Sequence, residues 1–182
     1  MSGGPHGIES PRLVLRPVEA PEAPDVHALL TDEDVRRYLM DGAVASREWV
    51  EGIIRDSAAS FAARGLGIWV ARERGAPAIV GLAGFRDFYR PPVLELFYAL
   101  LPSRWHRGLG TEMARAAIDH AFTRAGLSEV RASTDEPNAA SIRVLGRLGL
   151  RPSGRTAKED VGTVLWDQLH FAVSREQWVG RR

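Results

Sequence analysis

The order of apolar and polar positions divides the chain into strands and helices. Leu13–Arg16 alternates and reads as a first strand. Pro21 and Pro24 suit the start of a helix that carries Val26, Leu29 and Leu30, and Asp32–Leu39 suits a further short helical turn. Ser46 is placed to cap a long helix over Arg47–Arg64, with Trp49, Ile53, Ile54 and Phe61 as its buried stripe and Gly65 as its stop. Gly67–Arg72 and Ala78–Asp87 read as strands of a hairpin that turns around Arg74-Gly75-Ala76-Pro77. Val93–Leu101 is apolar on both faces except at Glu95, and Pro102 ends it because proline has no N–H for a ladder. A helix then opens at Gly108-Leu109-Gly110, where Leu109, Met113, Ala117 and Ala121 recur every fourth residue beside Ile118 and Phe122. Glu129–Thr134 reads as a strand and Pro137–Leu148 as a helix. Leu150–Arg155 and Val164–Val173 read as a closing antiparallel pair, turning at Asp160–Gly162.

Strands dominate, and one strand–helix–strand unit lies in the second half. The pattern predicts an α+β fold with a mixed, mostly antiparallel sheet. No linker or repeat divides the chain, so a single domain is expected over residues 10–179. The stretch before it, residues 1–9, opens on the Gly/Pro-rich Met1–Gly7 and is expected to be flexible.

Composition narrows the class. At 182 residues, one domain buries roughly 70% of the surface its unfolded chain exposes. A hydrophobic content of 45% and a charged content of 26% are those of an ordinary globule. A formal net charge of +1 gives no electrostatic reason to expect nucleic acid as a partner. The absence of cysteine removes disulfides, thiolate metal sites and a cysteine nucleophile. No segment is long and apolar enough to span a membrane, and no signal peptide begins the chain, so the expected location is cytoplasmic.

Three places carry candidate chemistry. Glu95 is the one charge in its strand, so partial desolvation would raise its pKa toward the working range of a general base; the bland alternative is a salt-bridged or edge-exposed glutamate. Gly108 and Gly110 at a helix start leave backbone N–H groups open to a ligand, and Arg104 and Arg107 lie nearby, which together suit a diphosphate. Asn138 and Ser141, one turn apart, share a face near the start of their helix, where capping alone also favours them. Trp69, Phe85 and Tyr98 are candidates to line a substrate pocket or to fill the core; His170 and Asp167 are further candidates for that cleft. His120 is expected at a helix surface or boundary. The five histidines are scattered and form no metal motif, so no metal is expected. A phosphate-binding lysine loop and a Gly-x-Ser-x-Gly elbow are both absent from the sequence.

Trp105-His106-Arg107-Gly108-Leu109-Gly110-Thr111-Glu112 resembles the acetyl-CoA pyrophosphate loop of the GNAT N-acetyltransferase superfamily, with Trp105 departing from the general form toward its RimJ/RimL-type branch. Asn138-Ala139-Ala140-Ser141, followed by Leu148-Gly149-Leu150, is similar to that branch's Asn-x-x-Ser segment, with Leu150 in place of the usual aromatic. Ser10–Pro17 and Arg175–Trp178 also fit, so the likeness runs over about residues 10–178. The resemblance implies the GNAT fold, with its splayed central strand and flanking helices. It implies acetyl-CoA as co-substrate, held by Arg107, Gly108, Leu109, Gly110, Thr111 and Asn138, with the backbone N–H of Leu100 or Leu101 on the acetyl carbonyl or pantetheine. Glu95, directly or through a water, would be the base. Ser141 would hydrogen-bond or protonate the departing sulfur, since Leu145 stands where other members carry a tyrosine. The acceptor would be a primary amine, on a protein N-terminus or a small molecule, against a wall formed by the N-terminal helices. Pairing of two chains into a homodimer stays open. The competing reading is an acyl-CoA-binding sensor or interaction domain without catalysis, which retention of Glu95, Asn138 and Ser141 disfavours. A dinucleotide-binding fold is more distant, because no full Gly-x-Gly-x-x-Gly follows the strand.

Overall fold

The computed structural model describes residues 6–39, 43–158 and 166–180. In chain order the elements are β1 (Ile8–Glu9), β2 (Leu13–Pro17), α1 (Ala23–Thr31), α2 (Glu33–Arg36), α3 (Arg47–Arg64), β3 (Ile68–Glu73), β4 (Ile79–Phe88) and β5 (Val93–Leu100). They continue with α4 (Leu109–Thr123), β6 (Glu129–Asp135), α5 (Ala139–Leu148), β7 (Arg151–Thr156), β8 (Gln168–Ser174) and α6 (Arg175–Val179).

Every ladder is antiparallel. Strands β1 to β5 form one sheet in sequence order, and β6, β8 and β7 form a second, with β8 in the middle. Strands β5 and β6 lie side by side, linked through α4, yet no ladder joins them. The sheet is therefore open along this seam, and the backbone groups on the facing edges of β5 and β6 are left for other partners.

The two faces are covered by different helices. On one, Leu109, Met113, Ala117 and Ile118 of α4 and Leu145 and Leu148 of α5 meet Ala83, Phe85 and Leu96 of the sheet. On the other, Leu29 and Leu30 of α1 and Val50, Ile53 and Ile54 of α3 meet Val70, Leu82 and Phe97. Successive strand residues point to opposite faces, so β5 contributes to both clusters.

The helix ends follow their capping residues. Ser46 accepts a hydrogen bond from the Trp49 amide (3.1 Å) to start α3, and Gly65, at φ +68°, stops it. Asn138 accepts one from the Ser141 amide (3.0 Å) to start α5, and Gly149, at φ +83°, ends it.

Some details depart from the sequence pattern. Ile8–Glu9 pair with Val14–Leu15, and the Trp69 indole donates to the His6 carbonyl (2.6 Å), so ordered contacts begin before residue 10. A two-residue strand is too short to show a period. Strand β8 begins at Gln168, and the expected turn at Asp160–Gly162, with Val164, lies outside the described residues. Helix α6, one turn long, has a Ser174–Gln177 capping box and buries Trp178, whose indole donates to Asp119 (2.7 Å). His120 is not at the surface. Its Nε2 lies 3.1 Å from the Gly65 carbonyl and its ring edge meets Trp69, because the end of α3 covers this side of α4; burial lowers its pKa. Among the described residues no helix is long and apolar enough to cross a membrane.

Candidate active site

The pleat of β5 sends its two chemical side chains to opposite faces. Glu95 stands directly across from Arg86 of β4, on the α1–α3 face with Phe97 and Ala99. Tyr98, three residues on, points to the α4–α5 face. A cleft of about 750 Å³ follows the open seam and reaches both side chains. One half is lined by Trp49, Arg86, Phe88 and Tyr89, with Tyr38 at its edge; the other by the start of α4 and by Asn138 and Ser141.

Glu95 is 4% exposed. Across the seam, the Ser133 hydroxyl of β6 donates to its Oε2 (2.5 Å). The Ser133 oxygen lies 2.8 Å from the Tyr89 hydroxyl, which also reaches Gln168 Oε1 (2.9 Å). Because Ser133 gives its one proton to Glu95, the Tyr89 proton is directed to Ser133 or Gln168. Burial raises the Glu95 pKa, and the Ser133 hydrogen bond and the fields of His170 and Arg131 offset this in part. The result is a carboxylate held at one end by a hydrogen bond and shifted toward the range of a working base.

On the other face, the hydroxyls of Tyr98 and Ser141 share a hydrogen bond of 2.7 Å. Burial pushes the Tyr98 phenol up to about 12, against a smaller opposing effect of Ser141, so it keeps its proton at neutral pH. Asn138 uses its Oδ1 as the α5 cap, which leaves its amide N–H groups as donors toward the cleft.

Between β5 and α4, Pro102–Arg104 form a 3-10 turn, and His106 (φ +60°) and Gly108 (φ +74°) are left-handed. Glycine takes that conformation at Gly108 without steric cost. The Glu112 amide donates to the Gly108 carbonyl (3.0 Å), so the amides of Leu109, Gly110 and Thr111 before it have no intrahelical acceptor. These three residues line the cleft, where the helix dipole favours negative charge. The loop is fixed from outside. Arg12 donates to the Arg107 carbonyl (2.8 Å) and to Glu112 (2.6 Å), and the Ser10 hydroxyl also donates to Glu112 (2.7 Å).

Two groups expected at the cofactor have protein partners in the structure. Arg107 turns its guanidinium to Glu73 (3.0 Å) and does not line the cleft; Arg104, also beside Glu73, does, as do Arg143 and Arg147 of α5. The Leu101 amide is occupied, since it donates to the Val80 carbonyl (2.9 Å). Hydrogen bonds alternate along an antiparallel ladder, so the Leu100 N–H faces away from β4, toward the seam. Of the aromatic candidates, Trp69 and Phe85 are core, and Tyr98 lines the cleft. His170 bonds Thr156 (2.7 Å) and Asp167 is paired with Arg155, so neither lines the cleft. Ser133 and Tyr89 were not singled out in the sequence, and Gln168 was noted only as sharing a strand face with His170. Ser133 and Gln168 come from the paired strands β6 and β8 and Tyr89 from the turn between β4 and β5, so their meeting at Glu95 leaves no local signal. Among the described residues no group of three or more His, Asp or Glu is placed to hold a metal ion.

An opened sheet whose seam joins a pocket with a buried carboxylate on one face to a helix start with open amides on the other can hold two substrates side by side, as a group-transfer enzyme requires. The chain belongs to the GNAT acetyltransferases: the family model described as "Acetyltransferase (GNAT) domain" matches residues 12–151. Among curated proteins it is similar to the uncharacterized N-acetyltransferase YoaA of Bacillus subtilis, 26% identical over 148 residues, covering 81% of this chain and 84% of that one. Among solved structures it is similar in fold to a GNAT-family acetyltransferase from Bacillus anthracis (TM-score 0.76, 23% identity, 93% and 99% of the two chains). It is similar in fold also to a RimL ribosomal α-N-protein acetyltransferase in complex with coenzyme A (TM-score 0.76, 19% identity, 92% and 97%).

Proposed function

We propose that this acetyltransferase moves the acetyl group of acetyl-CoA to a primary amine by direct attack in a ternary complex, as an enzyme of the RimJ/RimL-type branch. The observation that carries this reading is the seam between β5 and β6, with Glu95 on one side and the Tyr98–Ser141 pair on the other. The CoA diphosphate lies on the amides of Leu109, Gly110 and Thr111, with Arg104, Arg143 and Arg147 near it. The pantetheine arm runs along the seam beside Asn138, and the acetyl carbonyl oxygen accepts from the Leu100 N–H. The neutral amine enters from the Trp49 side, and as its nitrogen bonds the carbonyl carbon it gives up a proton to Glu95, directly or through a water. Collapse of the tetrahedral intermediate breaks the C–S bond. The departing sulfur takes the Ser141 proton, Tyr98 passes its own to Ser141, and the pair regains a proton from solvent as Glu95 releases the one it took. Alignment of the two reactants contributes most, up to ~7–11 kcal/mol in favourable cases.

Support for the cofactor comes from the family, whose members use acetyl-CoA, and from the CoA complex of the RimL fold relative. The acceptor is tested by incubating the protein and acetyl-CoA with a panel of peptide N-termini and a panel of small amines, reading acetylated product by mass spectrometry. Acetylated product in either panel supports the proposal. Tight acetyl-CoA binding with no product from any amine would contradict it.

A further inference from the structure

The amine side of the cleft holds a guanidinium that the reaction above does not use. Arg86 and Glu95 are directly opposed on adjacent strands, which places their β-carbons about 5 Å apart on one face. The two side chains do not pair. The Arg86 guanidinium carbon instead lies 5.2 Å from the centroid of the Trp49 ring and 4.8 Å from that of Phe88. Among the described residues no carboxylate forms an ion pair with it. Asp56 and Asp87 attract it from farther away, and Asp87 is already bound to Arg64 (2.6 Å). Arg72 of β3, by contrast, is satisfied by Glu22 (2.5 Å). A half-buried cation without a counter-charge is costly, and burial lowers the Arg86 pKa accordingly. The two rings hold the cation on the amine side of the cleft, and its planar fork suits a planar anion.

We propose that Arg86 is the anchor for a carboxylate carried by the acceptor, so that the preferred substrates are amines with a carboxylate a few bonds from the reacting nitrogen. This rests on the acetyl-transfer reading and adds the substrate class to it. With the nitrogen at Glu95, the substituent falls toward Arg86 and the Trp49–Phe88 pair. Two sources present this chemistry: a free amino acid, and a peptide with an acidic residue next to its N-terminus.

The test compares wild type, Arg86→Gln and Arg86→Lys on matched pairs: glycine with glycinamide, and the peptide amides Ser-Asp-Ala and Ser-Asn-Ala. The expected result is that Arg86→Gln raises KM for the carboxylate member of one pair by about 10- to 100-fold, the loss of one charge-assisted fork, and leaves its neutral member and kcat unchanged. Arg86→Lys falls between. The pair that responds identifies the source, and comparing variants on the same pair cancels the different amine basicities. Calorimetry of the acetylated forms of each pair with the CoA-bound protein reads the same contrast without turnover. A folded Arg86→Gln variant that weakens both members equally, or a wild type without carboxylate preference in either pair, overturns the anchor. Arg86-dependent carboxylate binding without acetyl transfer would support the anchor and contradict the acetyl-transfer reading; transfer without carboxylate preference would do the reverse.

Discussion

At the scale of single residues, the proposed mechanism turns on Glu95. Glu95→Gln keeps the shape and the Ser133 contact but cannot take a proton. Turnover should fall by ~10²–10⁴-fold with folding intact, as measured by steady-state kinetics beside a thermal melt. A base works deprotonated, so kcat/KM should fall as pH drops through the Glu95 pKa, and that limb should lie above the ordinary carboxylate range because burial raises it. Ser133 donates to the charged form and holds the pKa down. Ser133→Ala should therefore move the limb to higher pH, whereas a purely structural Ser133 would leave its position unchanged. The burial of Glu95 and the rise of its pKa were legible in the sequence, because a lone carboxylate in an apolar strand stands out. Ser133, Tyr89 and Arg86 were not, since each is an ordinary polar residue until the fold brings it to the Glu95 end of the seam, Arg86 across the β4–β5 ladder, Ser133 from β6 and Tyr89 from the turn after β4. Tyr98 was visible only as an aromatic; its partnership with Ser141 depends on where α5 crosses β5.

At the scale of elements, the helix starts and stops were the most readable features. Ser46, Gly65, Gly108, Asn138 and Gly149 each impose a backbone geometry that can be read from residue type. The anchoring of the α4 start was hidden, because Ser10 and Arg12 lie about a hundred positions from Glu112 in sequence. Burial alone would raise the Glu112 carboxyl. The hydrogen bonds from Ser10 and Arg12, and the Arg12 charge, outweigh it and hold the group below its ordinary value of 4.5. A carboxylate depressed by folding adds stability above its unfolded pKa and loses it as pH falls through the folded one. Glu112→Gln should thus cost about 1–3 kcal/mol near neutral pH, by thermal melting, with the difference shrinking below pH 4.5. It should also weaken CoA binding by loosening the loop. Equal melts at pH 7 would contradict this role. The splay between β5 and β6 could be expected only by resemblance, because a missing ladder leaves no periodic trace in either strand.

At the scale of the whole molecule, the opened sheet needs its two halves held at a fixed separation. Close contact between β4 and β3 sets one side: a Cβ at Gly84 would lie 2.1 Å from the Gly67 carbonyl oxygen. Gly84→Ala should destabilise the fold by about 3 kcal/mol or more, which a denaturant melt would read as a lowered midpoint. CoA bound along the seam would tie the halves together. At a concentration a hundredfold above its Kd, it should stabilise the native state by about 2.7 kcal/mol and raise Tm by roughly 5–10 °C.

The most direct measurement is a crystal structure of the protein with CoA. The account predicts the diphosphate on the amides of Leu109, Gly110 and Thr111 and the thiol in the seam, within reach of Ser141 and on the opposite side from Glu95. A diphosphate bound away from the start of α4, or a thiol outside the seam, would contradict it.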